Sequence, residues 1–515
     1  MRELGRLLET AHPDPFTGGG GREAFEGRLR STLATLPEEG MTAREFLSEV
    51  RPLVASLHDG HTHIREPRRS EERPKRGVAV ELEAVEERLY VSGVFADAHR
   101  VALGGRLVAV QGTPWSSLLE RSARFRGAEN PYNNLVHLAT MLADPLMAED
   151  FFEARAPLTH LDVELELPNG SRKSVAFPIV GGTLGPALVP PTRWEPPAVS
   201  TAALGFGFAP GTRNVAVLRV DSMMRYREAF ETWRSTGFDR PLGAHLEQVS
   251  TAASTEPLPA LLDAKIARIP SATELFVSMF TAMRAAHTSV LIVDLRKNEG
   301  GNSLLAFVLP YFLAPWSRLV EARGGYQVPR LSQHYFDNYR SAKPVPGITL
   351  GGFDYSERDA WYRVRHDGLD DTERRRRERT LEQEAAGAPT FDRIFRNGAW
   401  SACWQGRLIV VTSARTYSAG FDLAAALRDL GATVVGVPSA QSGNGFIDAL
   451  SHRLSRSGLE VGVSYKRNVR FPDEAAPALL RPERELTWAD LTAMQLDPNA
   501  SLRLALAEAT HTAAY

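Results

Sequence analysis

Cysteine is almost absent from this 515-residue chain, with Cys403 the single example. No intrachain disulfide can therefore form, and cysteine usage leaves the redox compartment open. Cys403 lies in the run SACWQG just ahead of a strand, with no helix start beside it to lower its pKa, so it is a poor candidate nucleophile. Lysine is scarce as well: Lys75, Lys173, Lys265, Lys297, Lys343 and Lys466 are the whole set, and arginine carries most of the positive charge. Long apolar runs are missing, so no membrane span is expected. The opening MRELGRLLETAHPDPF has no apolar core of signal-peptide length, which points to the cytoplasm, or to the periplasm or exterior if a leader had been removed. A formal net charge of -2 gives no reason to expect nucleic acid as a partner. No spaced His/Cys ligand set occurs, since His61 and His63 alone are two ligands short of a structural zinc site, and GTPW and GNGF do not open helices as a dinucleotide fold requires. No metal and no cofactor are expected.

What is present is a globular composition, 43% hydrophobic and 24% charged, in a chain long enough for two or three domains. Residues 1-72 are predicted to be a helical domain. Phe25, Leu29, Leu33 and Leu36 mark one helix, and Phe46, Val50, Leu53, Val54 and Leu57 a second that runs into His58-Asp59-Gly60-His61-Thr62-His63. The charged run from Arg65 to Arg76 is a linker. Residues 73-182 read as a small, mostly β module whose GGRLVAVQGTPW segment is similar to part of a PDZ-like fold, a class that binds extended peptide along a sheet edge. Residues 183-212, rich in Pro and Gly, are a second linker. Residues 213-515 form an α/β core with insertions near 225-272 and 325-400. Within the latter, Asp370 to Glu384 is a highly charged helix of mixed sign, expected to be a solvated surface helix.

The core is organised around RLIVVTSARTYSAGFDLAAALRDLGATVVGV, residues 407 to 437. A β-branched strand, a loop, a helix and a second strand succeed one another, which demands a parallel crossover. Ser418 stands where strand gives way to helix, the edge at which open α/β sheets hold ligands. The amide of Ala419 and the positive end of the helix dipole can stabilise an oxyanion formed when the Ser418 hydroxyl attacks a carbonyl. A serine at that point is also a common helix N-cap. SVLIVDLRKNEGGN repeats the strand-loop-helix pattern and brings Gly300 and Gly301 to the same edge.

Three stretches, DGHT at 59 to 62, VDLRKNEGGN at 293 to 302 and TYSAGFDLAAALRDLGATVVGVPS at 416 to 439, resemble in this order the signatures of the serine peptidases that include the tail-specific (C-terminal-processing) proteases, the tricorn core and the interphotoreceptor retinoid-binding protein. SHRLSRSGLEVGVSYKR and the final TWADL and LDPNASLRLALA look like later segments of that family. The resemblance implies a ClpP/crotonase-like α/β superfold with a mainly parallel sheet, and a peptide or protein substrate. Processing peptidases of the family use a Ser-Lys dyad with the lysine some two dozen residues after the serine. Here that place is held by SAQSGNGF, 439 to 446, and the first lysine after Ser418 is Lys466. The tricorn-like branch takes its base from the histidine of the DGHT position, which is His61, with His63 as its rival two residues on.

An imidazole titrates near neutral pH and suits a serine nucleophile without the strong desolvation a lysine needs. The resemblance gives one oxyanion amide to the Gly300-Gly301 turn, to act with that of Ala419, although Lys297 and Glu299 depart from the usual loop. It also implies a late glutamate ahead of a Pro-Asp step. Pro482-Glu483 is the nearest match to that step, which makes Glu474 the assigned third residue, with Asp473 and Asp448 as alternatives. The expected activity is a serine hydrolase acting through an acyl-enzyme. A non-catalytic binder of a hydrophobic ligand or peptide, or an acyltransferase, are the other uses of such a scaffold. Substrate identity and oligomeric state are not legible.

Overall fold

The computed structural model describes the chain except for residues 68–75, 183, 200–202, 236–245, 247, 248, 250–260, 323, 340–344, 346, 398–402, 476, 477 and 512–515. Most of the charged linker and the middle of the 225-272 insertion thus lie outside the described residues. The centre of the molecule is a six-stranded sheet. Leu204–Phe208, Val215–Val220, Val290–Asp294, Arg407–Thr412, Thr433–Gly436 and Arg484–Glu485 lie side by side in that order. All neighbours are parallel except the first pair.

The four inner strands are mostly apolar because both faces are covered. Ala216, Leu218, Leu291, Val293, Val410 and Val434 face one core, shared with the helices Ala272–Ala285, Leu305–Leu313 and Ala419–Asp429. Val217, Ile292, Ile409, Val411 and Val435 face the other, with the last helix, Ala500–His511. Each such fully buried valine, leucine or isoleucine contributes roughly 1.5–3 kcal/mol. The edge strand Leu204–Phe208 falls within the segment read as a linker. Its LGFGF pattern lacks strand-like residues at Gly205 and Gly207 because Ala198 and Pro197 pack directly against those backbones.

Residues 76 to 181 build a seven-stranded antiparallel sheet. The segment read as mostly β also holds three helices, Trp115–Phe125, Pro131–Ala143 and Pro145–Phe151. Their apolar faces join the module to the central sheet in one continuous core that contains Leu118, Leu135, Leu138 and Phe151 together with Ile409 and Val411.

At the N-terminus Arg2–Ala11, Arg22–Thr35 and Ala43–Ala55 are helical, the last opened by a Thr42/Glu45 capping box. Leu4, Leu8, Val50, Leu53 and Val54 pack on Leu459, Val461 and Val463. Those residues belong to the antiparallel hairpin Asn444–Arg453 and Glu460–Val469, and His63–Arg65 adds a further strand to its second arm. The turn carrying His61 is therefore fastened to the end of the chain that follows Ser418.

The helix Asp371–Ala386 is not wholly solvated as its composition suggested. Glu373, Arg377 and Ala385 are buried, and Arg377 bridges Glu373 (2.9 Å) and the Val320 carbonyl (3.0 Å), so one face of this polar helix is docked on the core. Among the described residues no helix is long and apolar enough to cross a membrane.

Candidate active site

Ser418 occupies the N-cap position of the helix Ala419–Asp429, but its side chain makes no capping hydrogen bond. Its backbone sits at φ 51°, ψ -124°, a region a non-glycine residue enters only when its surroundings hold it there. Several contacts do so. The Tyr417 N–H donates to the Asn298 carbonyl (3.0 Å), the Thr416 hydroxyl to the Leu295 carbonyl (3.0 Å) and the Ser413 hydroxyl to the Arg296 carbonyl (2.5 Å). The Ser418 N–H donates to Gln441 Oε1 (3.3 Å). The hydroxyl so exposed lies 3.3 Å from His61 Nε2 across 357 residues of sequence.

Each residue of the DGHT turn has a physical task. Asp59 is fully buried and accepts from the His61 N–H (2.9 Å) and the Thr62 hydroxyl (2.5 Å), with His12 Nε2 at 3.1 Å. Burial alone would raise its pKa, but His12 above all, then His61 and Ser464, hold the carboxyl well below the usual carboxylate range. Gly60 leaves room for the Tyr417 hydroxyl, which a Cβ would meet at 2.4 Å. Thr62 takes the Ser464 N–H (3.0 Å) and so ties the turn to the hairpin. His63 is directed away from the serine: its Nδ1 lies 2.8 Å from the His61 carbonyl, and its ring covers Gly462.

The carboxylate against His61 is Glu129, which the sequence reading did not single out. Its Oε1 lies 3.3 Å from His61 Nδ1 and accepts from the Tyr417 hydroxyl (2.5 Å), itself 3.0 Å from the same Nδ1. Its Oε2 accepts from Gln441 Nε2 (2.7 Å) and the Ser442 N–H (3.0 Å). An Nδ1 facing a carboxylate carries the ring proton, which leaves Nε2 as an acceptor toward Ser418. Burial would lower the pKa of His61. Glu129, then Asp59 and Asp448, outweigh it and hold the imidazole above its ordinary value.

Glu129 lies in the five-residue loop Arg126-Gly127-Ala128-Glu129-Asn130 between two helices, just before the Asn130 cap of Pro131–Ala143. An acid next to an Asn-Pro helix start is a weak signal, and nothing local separates it from other loop acids.

The expected third residue needs correction. Glu474 is exposed, and its contacts are those of its backbone: its N–H donates to the Phe471 carbonyl (3.0 Å) and its carbonyl accepts from Asn444 (2.9 Å). It sits in a surface turn beyond the hairpin. Asp473 meets Arg365 at the surface (3.3 Å), Asp448 is paired with Lys466 (2.6 Å), and Glu483 accepts the Val434 N–H (2.7 Å). Lys466, the first lysine after Ser418, is thus engaged with Asp448. Gln441 sits 23 positions after Ser418, within the stretch where the dyad branch carries its lysine, and links the Ser418 amide to Glu129.

Gly300 and Gly301 adopt φ of 101° and 136°. A Cβ on Gly300 would meet the Ser418 Cβ at 2.7 Å, so glycine is required by close approach. The Gly300 N–H, however, donates to Asn298 Oδ1 (3.0 Å). Among the described residues the amides of Gly301 and Ala419 have no intramolecular acceptor. The charges peculiar to this loop point outward: Lys297 and Glu299 are exposed, and Glu299 pairs with Arg415 (2.5 Å).

Ligand atoms of Asp59, His61 and Glu129 fall within 4.8 Å of one another. Both oxygens of each carboxylate already accept the hydrogen bonds given above, so the cluster is a proton-holding network and not a free ligand set.

Residues 264–468 match the model of Peptidase family S41. The family is one of serine peptidases, and the match supports a serine peptidase. The S41 stretch holds Ser418, Gly300, Gly301 and Gln441, while His61 and Glu129 lie outside it, on the helical region and the β module. No curated protein matches the sequence. Among solved structures, the chain is similar to mature CPAF complexed with lactacystin, at 13% identity over 98% of each chain with a TM-score of 0.56. It is similar also to mature CPAF alone, at 14% identity over 99% of this chain and 97% of that one, TM-score 0.55. At such identities the likeness is one of fold. The photosystem II D1 C-terminal processing protease covers 95% of this chain and 93% of its own at 14% identity, with a TM-score of 0.43, too loose to argue from.

Proposed function

We propose that this S41 peptidase cleaves peptide bonds through an acyl-enzyme built on Ser418, His61 and Glu129. The observation that carries the reading is the alignment of one imidazole between two partners, Nε2 at 3.3 Å from the Ser418 hydroxyl and Nδ1 at 3.3 Å from the Glu129 carboxylate. Ser418 Oγ attacks the scissile carbonyl carbon while His61 Nε2 takes its proton. The imidazolium is stabilised by Glu129, and Tyr417, stacked on the ring at a centroid distance of 4.8 Å, limits its rotation.

The carbonyl oxygen becomes an oxyanion held by the amides of Gly301 and Ala419, with the dipole of Ala419–Asp429 behind them. When the tetrahedral intermediate collapses, the C–N bond breaks and the amine leaves with the proton from Nε2. A water then gives its proton to His61, attacks the ester and releases the acid, restoring the serine. Peptide or protein is the substrate class that family membership supports.

A fluorophosphonate probe tests the assignment. The intact protein should be labelled, and Ser418→Ala and His61→Ala should reduce labelling to background. Equal labelling of the Ser418→Ala variant would remove the serine from the mechanism.

A further inference from the structure

Gln441 is a fully buried amide that takes no part in the bond-breaking steps, yet it touches the site at two points. It follows the strand Thr433–Gly436 on a loop pinned to the neighbour of Glu129: Asn130 Nδ2 donates to the Ala440 carbonyl (2.9 Å), and the Ser439 hydroxyl donates to the carbonyl of Gln441 itself (3.1 Å). Its side-chain Oε1 accepts the Ser418 N–H (3.3 Å), while Nε2 donates to Glu129 Oε2 (2.7 Å) and to the Ser442 carbonyl (3.1 Å). These partners fix the orientation of the amide. Turned over, it would set its oxygen against a carboxylate and a carbonyl, and its NH2 against an N–H.

Because the Ser418 N–H is donated to Gln441, the backbone of the nucleophile is anchored at φ 51°, ψ -124°, and the oxyanion is left to the amides of Gly301 and Ala419. Glu129, whose side chain is 1% exposed, needs donors on its lone pairs to stay ionised out of water. An uncharged amide supplies one without cancelling the charge. A cation in the same place would pair with Glu129 and weaken its pull on His61.

Resting on the peptidase reading above, we infer that Gln441 is a positioning residue of the reaction: one amide ties the backbone of Ser418 to the carboxylate behind His61, and so holds nucleophile and acid in register with the imidazole between them.

Two variants test this. Gln441→Met removes both hydrogen bonds at nearly constant volume. Gln441→Glu keeps the shape but adds a proton that can be lost. Protonated, the new carboxyl accepts from the Ser418 N–H and donates to Glu129 as the amide does; ionised, it repels Glu129 and has no proton to give. The other ionisable groups about Glu129 and His61, namely Tyr417, Asp59, Asp448 and Arg126, are common to native protein and variants, so a new titration belongs to position 441. The measurements are kcat and KM for a fluorogenic peptide against pH, below the thermal midpoint of each protein, with fluorophosphonate labelling of Ser418 in parallel. Gln441→Met should lower kcat ~10–100-fold, the loss of two hydrogen bonds of which one is to a charged group, with KM changed less than about twofold. Gln441→Glu should show activity that rises with pH and then falls, where the native protein stays on its plateau. A glutamine that served the fold alone would lower the thermal midpoint without adding a descending limb. A folded Gln441→Met with native kcat, or a Gln441→Glu enzyme whose plateau persists at high pH, overturns the positioning role and leaves the peptidase reading standing. Absence of Ser418-dependent labelling in the native protein overturns both.

Discussion

Replacing Glu129 by glutamine removes one charge and leaves the shape of the side chain nearly unchanged. At 3.3 Å the carboxylate–imidazolium attraction amounts to roughly 5 kcal/mol with an effective dielectric of about 20, before the cost of holding both groups out of water. An opposite charge so close raises a histidine pKa, in keeping with the upward direction for His61 despite its burial. The glutamine amide must also turn a donor toward either the Tyr417 hydroxyl and His61 or the Gln441 and Ser442 N–H groups, all of which want an acceptor.

Losing the carboxylate of a Ser-His-acid triad costs on the order of 10⁴ in kcat where the tautomer is lost, and about 10²–10⁴ is expected here because Tyr417 keeps a partial hold on Nδ1. The readout is kcat/KM for a fluorogenic peptide against pH. His61 acts as a base only when neutral, so native activity should rise with pH along a limb centred above the ordinary imidazole value of about 6.5. In Glu129→Gln the limb should move to lower pH while the plateau falls. The sign for stability runs the same way: the raised pKa stabilises the fold below about 6.5, and that contribution is lost as pH rises through the folded value. A variant with an unchanged plateau and an unmoved limb would show that Glu129 does not act on His61, and the triad would have to be rebuilt around another acid.

Tyr417→Phe keeps the stacked ring and deletes the hydroxyl, so it should lower kcat about tenfold with KM little altered, the loss of roughly one hydrogen bond, measured by steady-state kinetics. Gly300→Ala places a Cβ 2.7 Å from that of Ser418 at a φ of 101°, and should abolish fluorophosphonate labelling and lower the thermal midpoint by several degrees in calorimetry. Asp59→Asn removes the carboxylate that clamps the DGHT turn. Because the folded pKa of Asp59 is depressed, its contribution is present above about 3.9 and is lost as pH falls below that, so the variant should be less stable at neutral pH and show a flatter acid limb in denaturant titrations.

The parts of the site with strong local signatures were legible from the residues. Ser418 stands at a change of hydrophobic period, Gly300 and Gly301 follow a continuous apolar strand, and DGHT ends an amphipathic helix; each announces its local geometry before any tertiary contact exists. Less could be read where packing overrides composition. LGFGF looks like a loop and forms an edge strand, because its glycines admit the close passage of Pro197 and Ala198. The charged helix reads as solvated yet buries Glu373 and Arg377, since a paired charge can be buried where an unpaired one cannot.

What the sequence by itself determined, then, is the parallel core, the serine at its carboxyl edge, the glycine turn behind it and the absence of a suitably placed lysine. The choice of acid belonged to the tertiary structure. Glu129 is 68 residues from His61 (129 − 61) and 288 from Tyr417, and it reaches both only because the helices of the β module pack into the same core as the central sheet. A carboxylate becomes the partner of an imidazole by arriving within hydrogen-bond distance with its remaining lone pairs satisfied, and that condition has no local pattern in the chain.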